Sequence, residues 1–363
     1  MPTADELLNA AAVTGLARIL SVPAPSVAAA AAAGLEGLGL RERTDLVHDA
    51  LLADLPESYP RFEAVVRKAL PDAGFTGWML WPVTEAVTSR ALADGGGEAF
   101  DRALALLAEL TPRLTAEFGI RRLLEADLGR ALPIVLTWTA HPDEHVRRLA
   151  SEGTRPLLPW AKRVRAIFED PAAAVPVLDA LHRDPSEYVR RSVANHLNDI
   201  SRRDPALATA TAARWLDGEP DAATVRLVRH GLRTLVKQGH PEALALLGFP
   251  AVTGLVVAGP ELDTTTVAVG GALGFSYVVE NTGPAPAKLA IDYVIHHRKA
   301  NGTTTPKVFK LTTRTLGPGE RVTVARTHSF KVITTRVYHA GEHEIALQVN
   351  GEAFGRSPFT LLP

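Results

Sequence analysis

The sequence predicts a mainly α fold, with an α-solenoid of stacked helices over residues 1–250 and a small all-β sandwich over residues 251–363. Three observations carry this prediction. Apolar residues recur at spacings of three and four up to about Gly248, short alternating runs rich in Val and Thr follow it, and an apolar–Arg–Arg motif recurs within the helical part. The 363 residues are enough for two domains that each bury a core.

The helical part repeats itself around the apolar–Arg–Arg motif. Its clear copies are Ile120-Arg-Arg122, Val146-Arg-Arg148 and Val189-Arg-Arg191, and its weaker copies are Val225-Arg226 and Val66-Arg67-Lys68. From Ile120 to Val225 the copies are separated by 26, 43 and 36 residues, and turn-and-cap sequences precede two of them, at 141–145 and 184–187. Two-helix units of this size stack into an α-solenoid of the HEAT or armadillo kind.

The separation of 43 residues contains an insertion, residues 153–165, with two prolines, one Trp and four basic residues. A basic, aromatic loop beside repeated Arg pairs is typical of a surface that binds nucleic-acid phosphates. The candidate DNA-binding residues are Arg148, Arg155, Trp160, Lys162, Arg163, Arg190 and Arg191. Structural alternatives stay open: solvated arginines or arginines paired with carboxylates, and a Trp160 that only anchors the insertion.

Three acids are candidates for catalysis: Glu117, Glu152 and Asp199. Glu152 lies six residues after Val146, and Asp199 lies ten residues after Val189. The difference of four is about one helical turn, so both acids project from the same face of neighbouring repeats. Beside a sugar, such carboxylates stabilise a developing oxocarbenium ion and position a water for attack. Salt bridges between repeats are the alternative.

The last part of the chain has the pattern of strands. Residues 273–280 and 321–325 alternate apolar and polar residues, and Asn-Thr-Gly and Gly-Pro-Gly turns stand beside them. Turns at such intervals predict a β-sandwich. The basic stretch at residues 307–310 is compatible with DNA contact, and a solvated sheet edge is the alternative.

Composition excludes several kinds of site. The chain has no Cys, which excludes disulfides, thiolate metal sites and a Cys nucleophile, and favours the cytoplasm. The net charge of −1 is uneven, with −6 over residues 1–140, +2 over 141–250 and +3 over 251–363. No apolar run reaches 18 residues, so we expect no membrane span. The His residues near 141–145 and 339–343 are interpreted as a helix start and a strand with its turn, so we expect no metal.

Three stretches resemble sequence blocks of the AlkC family of bacterial DNA alkylation-repair glycosylases. They are HPDEHVRRLASEGTRPLLPW (residues 141–160), DPSEYVRRSVANHLND (184–199) and LTAEF (114–118). The resemblance implies a HEAT-like repeat domain over residues 1–248 and, as in one branch of the family, an immunoglobulin-like domain over residues 255–363.

The resemblance also implies a chemistry: monofunctional hydrolysis of the N-glycosidic bond of cationic alkylated bases, such as 3-methyladenine and 3-methylcytosine, in base excision repair. The family's acidic active-site positions fall on Glu117, Glu152 and Asp199. The implied partner is double-stranded DNA containing alkylated bases, without a cofactor. We expect a monomer that acts on the nucleoid in the bacterial cytoplasm.

Two other functions stay open. A non-catalytic HEAT-repeat binder of damaged or bent DNA would need the arginines and not the acids. In a protein-interaction scaffold, the solenoid would bind a peptide and the sandwich would be a second docking module. A steep loss of DNA affinity with salt separates both DNA-binding hypotheses from the scaffold. Loss of base release in Asp199→Asn, with DNA binding intact, separates the enzyme from the non-catalytic binder.

Overall fold

The computed structural model describes residues 3–334 and 336–363. The described chain divides into two compact units, one ending at Gly231 and the other running from Leu232 to Pro363. The segment that precedes the first strand contacts the turn between two later strands, where Asn350 Nδ2 donates a hydrogen bond to Pro250 O at 2.7 Å. The sequence-based boundary at residue 250 stays a prediction.

The first unit consists of helices joined by turns and loops. Its helices are α1 (Ala4–Leu7), α2 (Ala10–Leu20), α3 (Pro25–Ala33), α4 (Leu40–Asp54), α5 (Tyr59–Ala69), α6 (Leu80–Asp94), α7 (Gly97–Leu110), α8 (Ile120–Ala126), α9 (Leu128–Thr137), α10 (Glu144–Gly153), α11 (Arg165–Glu169), α12 (Val175–Leu181), α13 (Glu187–Ser201), α14 (Pro205–Leu216) and α15 (Ala222–Gly231). The second unit begins with α16 (Arg233–Lys237) and α17 (Pro241–Leu246). Within the described ranges, no helix combines the length and the apolar character needed to cross a membrane.

The helices of the first unit stack in two layers. One layer contains α4, α6, α8, α10, α13 and α15, and the other contains α5, α7, α9, α12 and α14. Most neighbours pack along each layer, as α4 does on α6 and α13 on α15, and the layers pack on each other. The apolar stripes of both layers are buried between them. This stacking confirms the predicted helical-repeat fold.

Helix α10 illustrates how a repeat begins and ends. Asp143 caps its N-terminus by accepting the backbone N–H of His145 at 2.7 Å. The helix ends at Gly153, where a Cβ would lie 2.8 Å from Ile120 Cγ2 of α8, so a larger residue would push the two helices apart. Residues 154–164, which make up most of the insertion, then lead to α11.

The second unit contains a two-sheet sandwich, as the sequence predicts. Its strands are β1 (Leu255–Leu262), β2 (Thr266–Ala268), β3 (Ala272–Asn281), β4 (Ala287–Arg298), β5 (Thr304–Leu316), β6 (Arg321–Ser329), β7 (Gly341–Val349) and β8 (Glu352–Leu362). One sheet has the order β1-β3-β6 and the other β2-β8-β7-β4-β5. Alternate residues of β3, such as Phe275 and Val279, point into the shared core.

Three histidines lie in the aromatic part of this core. The ring centroid of His297 is 6.2 Å from that of His328 and 5.8 Å from that of His343. The Tyr293 hydroxyl and His328 Nδ1 are hydrogen-bonded at 2.9 Å. Burial, reinforced by the charge of Arg336, lowers the pKa of His297 to about 3 and that of His328 to about 4. The core therefore accommodates neutral imidazole rings and resists protonated ones.

We predict that acid destabilises the sandwich. Because the folded-state pKa values of His297 and His328 lie below the ordinary value of about 6.5, the unfolded chain binds more protons at acidic pH. Above about pH 6.5 the two buried rings therefore cost the sandwich no stability. As the pH falls from there towards the folded-state pKa of about 4, the free energy of unfolding decreases. Hydrogen exchange, corrected for its intrinsic pH dependence, should show falling protection in β4 and β6. His328→Phe should weaken the dependence, and a flat wild-type profile would contradict the prediction.

Candidate active site

The candidate site lies where α10 and α13 pack against each other. Arg148 and Glu152 are four residues apart on α10 and share one of its faces. Ser192 and Asp199 are seven residues apart on α13, about two turns, and both are buried on that helix. The turn that precedes α8 contributes Glu117. Helical periodicity thus directs side chains from separate repeats into one interface.

Glu152 is the centre of a hydrogen-bonded network. Its Oε1 accepts a hydrogen bond from Arg155 Nη1 at 2.6 Å and lies 3.4 Å from Arg148 Nη2. Its Oε2 accepts a hydrogen bond from the Ser192 hydroxyl at 2.6 Å. Glu152 stands in the last turn of α10, where the helix dipole disfavours a negative charge, so the two guanidinium groups compensate a charge that the helix itself destabilises.

The same two arginines connect Glu152 to the other two acids. Arg148 Nη1 donates a hydrogen bond to Glu117 Oε2 at 2.7 Å, and Arg155 Nε donates one to Asp199 Oδ2 at 2.8 Å. Glu117, Arg148, Glu152, Arg155 and Asp199 therefore form one series of alternating charges, which we call the acid–arginine network. The structure brings together the three acids that the sequence singles out.

The network is largely shielded from solvent. The side chains of Glu117, Glu152 and Asp199 are 12%, 7% and 4% exposed. Burial raises the pKa of Asp199 above its ordinary value, and the ion pair with Arg155 opposes that effect. Burial also disfavours the charge of Arg155, but its two carboxylate partners outweigh burial and raise the pKa of Arg155. Each buried charge thus depends on its neighbours.

Two carboxylate oxygens are not used by the network. Among residues 3–334 and 336–363, no hydrogen bond reaches Glu117 Oε1 or Asp199 Oδ1. Such an oxygen can accept a hydrogen bond from water or stabilise a positive charge that develops beside it. Within the same ranges, no group of three or more His, Cys, Asp or Glu side chains could hold a metal ion.

Arg121 holds the insertion beside the network. Its buried guanidinium donates hydrogen bonds to the backbone oxygens of Gly153 at 3.1 Å, Arg155 at 2.9 Å and Lys162 at 2.5 Å. These carbonyls belong to the beginning and to the later part of the insertion. One side chain of α8 therefore fixes the path of the loop on both sides of Trp160.

Trp160 projects from the held loop. Its side chain is 75% exposed, and its φ of 64° lies in the left-handed region that bulky residues rarely adopt. A side chain this exposed does not anchor the insertion to the helices. Strained backbone that the surrounding structure enforces is common at functional positions.

The basic candidates divide by exposure. Lys162, Arg163 and Arg191 are exposed, whereas Arg148 and Arg155 belong to the network. The Arg163 guanidinium lies 4.8 Å from the centroid of the Phe168 ring, a cation–π contact.

Arg190 has a structural partner in the turn before its own helix. It donates hydrogen bonds to the carbonyl oxygen of Asp184 and to Glu187 Oε2. Arg147, the equivalent residue of the preceding repeat, likewise binds the carbonyl of His141, six residues earlier, at 2.9 Å. Arg147 also pairs with the Asp184 carboxylate at 2.7 Å. The first Arg of these two motifs therefore stabilises a turn.

Sequence reasoning misses two residues of the site, Arg121 and Ser192. Arg121 is the first Arg of one copy of the apolar–Arg–Arg motif. Helical periodicity does not show that this Arg, and not the one that follows it, is buried against the carbonyl oxygens of the loop. Ser192 precedes Asp199 by seven residues, so the period of the helix could have placed both on one face. The hydrogen bond from Ser192 to Glu152 joins residues 40 positions apart and needs the tertiary structure.

Comparison with known proteins finds similarity over both units. A family described as "Uncharacterised protein YhaZ, C-terminal Ig-like domain" matches residues 256–363. The uncharacterized protein YhaZ of Bacillus subtilis (strain 168) is 35% identical over 315 residues, which are 87% of this chain and 85% of that protein. The Pseudomonas fluorescens alkylpurine DNA glycosylase AlkC, solved bound to DNA containing an abasic site analog, is 34% identical with a TM-score of 0.85, and 100% of both chains is covered.

We predict that Arg155→Met lowers the free energy of unfolding by about 3–5 kcal/mol at neutral pH, because it leaves two buried carboxylates without their shared cation. Urea denaturation followed by Trp fluorescence measures this loss, since all five Trp residues precede Gly231. Arg165→Met is the matched control. Arg165 pairs with Glu169 at the surface, where solvent screens the pair, so its replacement should leave the unfolding midpoint nearly unchanged. Equal losses in both variants would show that burial of the network has no energetic consequence.

Proposed function

This chain belongs to the AlkC family, and we propose from that membership that it is a monofunctional DNA glycosylase, which hydrolyses the N-glycosidic bond of alkylated bases in base excision repair. The similar Pseudomonas fluorescens protein is an alkylpurine DNA glycosylase, and its structure contains DNA with an abasic site analog. In this chain, the observation that carries the proposal is the acid–arginine network beside the exposed Trp160.

The reaction makes limited demands on the protein. A base with a positive charge leaves with the electrons of the glycosidic bond and becomes neutral, so no general acid has to protonate it. The sugar that remains develops an oxocarbenium cation, which a neighbouring carboxylate stabilises. A water adds to C1′ while a carboxylate accepts its proton, and the products are a free base and an abasic site.

We assign these steps to Glu117, Glu152 and Asp199. Glu117 Oε1 and Asp199 Oδ1 are suited to face the sugar and the water, because the hydrogen bonds of the network use the other oxygen of each. Glu152, with both oxygens engaged, holds the two arginines between these acids. Glu117 is the most exposed of the three, so we expect DNA to reach the network at this residue first.

We propose that DNA binds along the exposed side of the insertion and the neighbouring helices. The exposed candidate ligands are Trp160, Lys162, Arg163 and Arg191, and the ion-paired candidates are Arg148, Arg155 and Arg190. The exposed side chains can neutralise phosphates directly. The Trp160 ring can stack on a base whose stacking within the duplex is weakened by the lesion. The ion-paired arginines can contact DNA only through N–H groups that their carboxylates leave unused.

The proposed substrate is double-stranded DNA with cationic lesions of the 3-methyladenine and 3-methylcytosine class, because buried carboxylates favour a positive charge in the ligand. We propose a monomer that acts in the cytoplasm on nucleoid DNA. Mass analysis of the bases that the protein releases from methylated genomic DNA identifies the substrates directly.

We place the chemistry in a domain of residues 1–250 and treat residues 251–363 as a separate immunoglobulin-like domain. Every member of the acid–arginine network precedes residue 200, which supports this division of roles. Comparing base release by the full chain with that by a chain without residues 251–363 measures what the sandwich contributes.

We expect Asp199→Asn to reduce the release of methylated bases by about 10²–10³-fold, the usual cost of removing one preorganised electrostatic group. The amide can still accept a hydrogen bond from Arg155 but no longer offers a negative charge to the sugar. Single-turnover release from methylated DNA, resolved by liquid chromatography, gives the rate.

Glu187→Gln is the matched control for Asp199→Asn. Glu187 stands on the same helix, is largely exposed and lies outside the network, so its loss should leave the rate within about twofold. DNA affinity should survive Asp199→Asn. If the wild type binds damaged DNA and releases no base, the non-catalytic binder becomes the better description.

We expect Trp160→Ala to weaken binding to duplex DNA with an abasic-site analogue by about tenfold or more, because an aromatic stacking contact contributes about 1–3 kcal/mol. The unfolding midpoint should not change, since the side chain is exposed. Fluorescence anisotropy of labelled DNA measures the affinity. Unchanged affinity would mean that Trp160 does not contact the DNA.

A further inference from the structure

A second polar feature of the helical unit is a cavity of about 530 Å³ between α4, α6, α8 and the insertion. Arg121 and Arg122 of α8 line it on one side, and Lys162 and Arg163 of the insertion line it on another. The cavity adjoins the acid–arginine network through Arg121, which donates a hydrogen bond to the carbonyl of Gly153, the residue after Glu152. None of the proposed chemical steps uses this cavity.

Cations without carboxylate partners dominate the lining. In the described part of the chain, no ion pair involves Arg121, Arg122, Lys162 or Arg163. A fifth cation, that of Arg41, is matched within the cavity by two acids of its own.

One further acid, Glu125, lines the cavity. Its Oε2 accepts the backbone N–H of Arg165 at 2.6 Å, so part of its charge is already stabilised. The lining therefore holds five Lys and Arg side chains against three acids, an excess of two positive charges, and it attracts anions and repels a cationic base.

Arg121, one of the lining residues, is a buried cation with one unsatisfied donor. The residue is only 4% exposed, and its Nη2 has no hydrogen-bond partner among the described residues. A buried, charged N–H without an acceptor is costly, and such groups commonly mark the place of a missing ligand or ion. Burial and the nearby charge of Arg155 lower the pKa of Arg121 to about 10. An anion in the cavity would stabilise the positive charge of Arg121, which burial disfavours.

We propose that this cavity binds a phosphodiester group of the DNA backbone, with Arg121, Arg122, Lys162 and Arg163 as its ligands. Two or more guanidinium and ammonium groups around a tetrahedral anion match the way in which proteins bind phosphate. The site fixes one backbone position next to the network, so that the sugar at the lesion faces the carboxylates. The inference rests on the proposed function and adds a defined backbone subsite to it.

The test replaces single phosphates of the DNA by uncharged methylphosphonates. Duplexes with an abasic-site analogue carry one replacement each, at successive positions around the analogue, and anisotropy measures their affinity for wild type, Arg122→Gln and Lys162→Gln. At one position, the methylphosphonate should lower the DNA affinity of the wild type by about tenfold or more, as expected for the loss of a hydrogen bond to a charged group. At that position, the methylphosphonate should lower the DNA affinity of each variant by less than threefold relative to its affinity for the unmodified duplex. The slope of log affinity against log salt should also fall by about one in each variant.

Arg214→Gln is the control, because Arg214 is an exposed cation on α14 that pairs with Asp179 away from the cavity. It should respond to every methylphosphonate as the wild type does. Unchanged unfolding midpoints check that the variants are folded. If each methylphosphonate lowers the DNA affinity of Arg122→Gln and Lys162→Gln as much as that of the wild type, the cavity is not a phosphate site. Base release by the wild type would then still support the glycosylase. If the wild type neither binds the duplex nor releases bases, the proposed function fails as well.

Discussion

The burial of Glu117, Glu152 and Asp199 against two arginines is the interaction on which the arrangement of the helical unit depends. Removing one partner from such a network leaves an uncompensated charge, which costs several kcal/mol, so α10, α13 and the turn before α8 are held in one register. The same constraint prepares the site for its proposed chemistry. Carboxylates that are already oriented and shielded from water need little reorganisation when positive charge develops on a sugar.

One repeated motif serves several purposes because its copies differ in burial. Arg147 and Arg190 stabilise the turns before their own helices, whereas Arg148 reaches two carboxylates of the network. Arg121 is buried against loop carbonyls and holds the segment that carries Trp160. The repeat therefore supplies a regular scaffold, and small differences in depth turn equivalent side chains into structural supports or parts of the site.

Two regions of opposite charge lie side by side in this unit. The network offers carboxylate oxygens, and the adjoining cavity offers unpaired cations. Alkylated DNA has the complementary pattern, with a cationic base on an anionic backbone. A surface that attracts each part at a different place gives the strand one preferred position, whereas a uniformly basic surface would bind the backbone without regard to the lesion.

Periodicity and residue type determined much of this protein from the sequence: stacked helices followed by a sandwich, the insertion after Gly153, and the shared face of Glu152 and Asp199. These features depend on neighbours within a few residues, which a sequence displays directly. Tertiary structure alone decided that Arg155 joins two acids, that Arg121 is buried and that Trp160 is exposed. Hydrogen bonds between residues 30 to 45 positions apart, and the burial of each side chain, depend on how the repeats stack. No local sequence pattern encodes how deeply one arginine of a pair is buried.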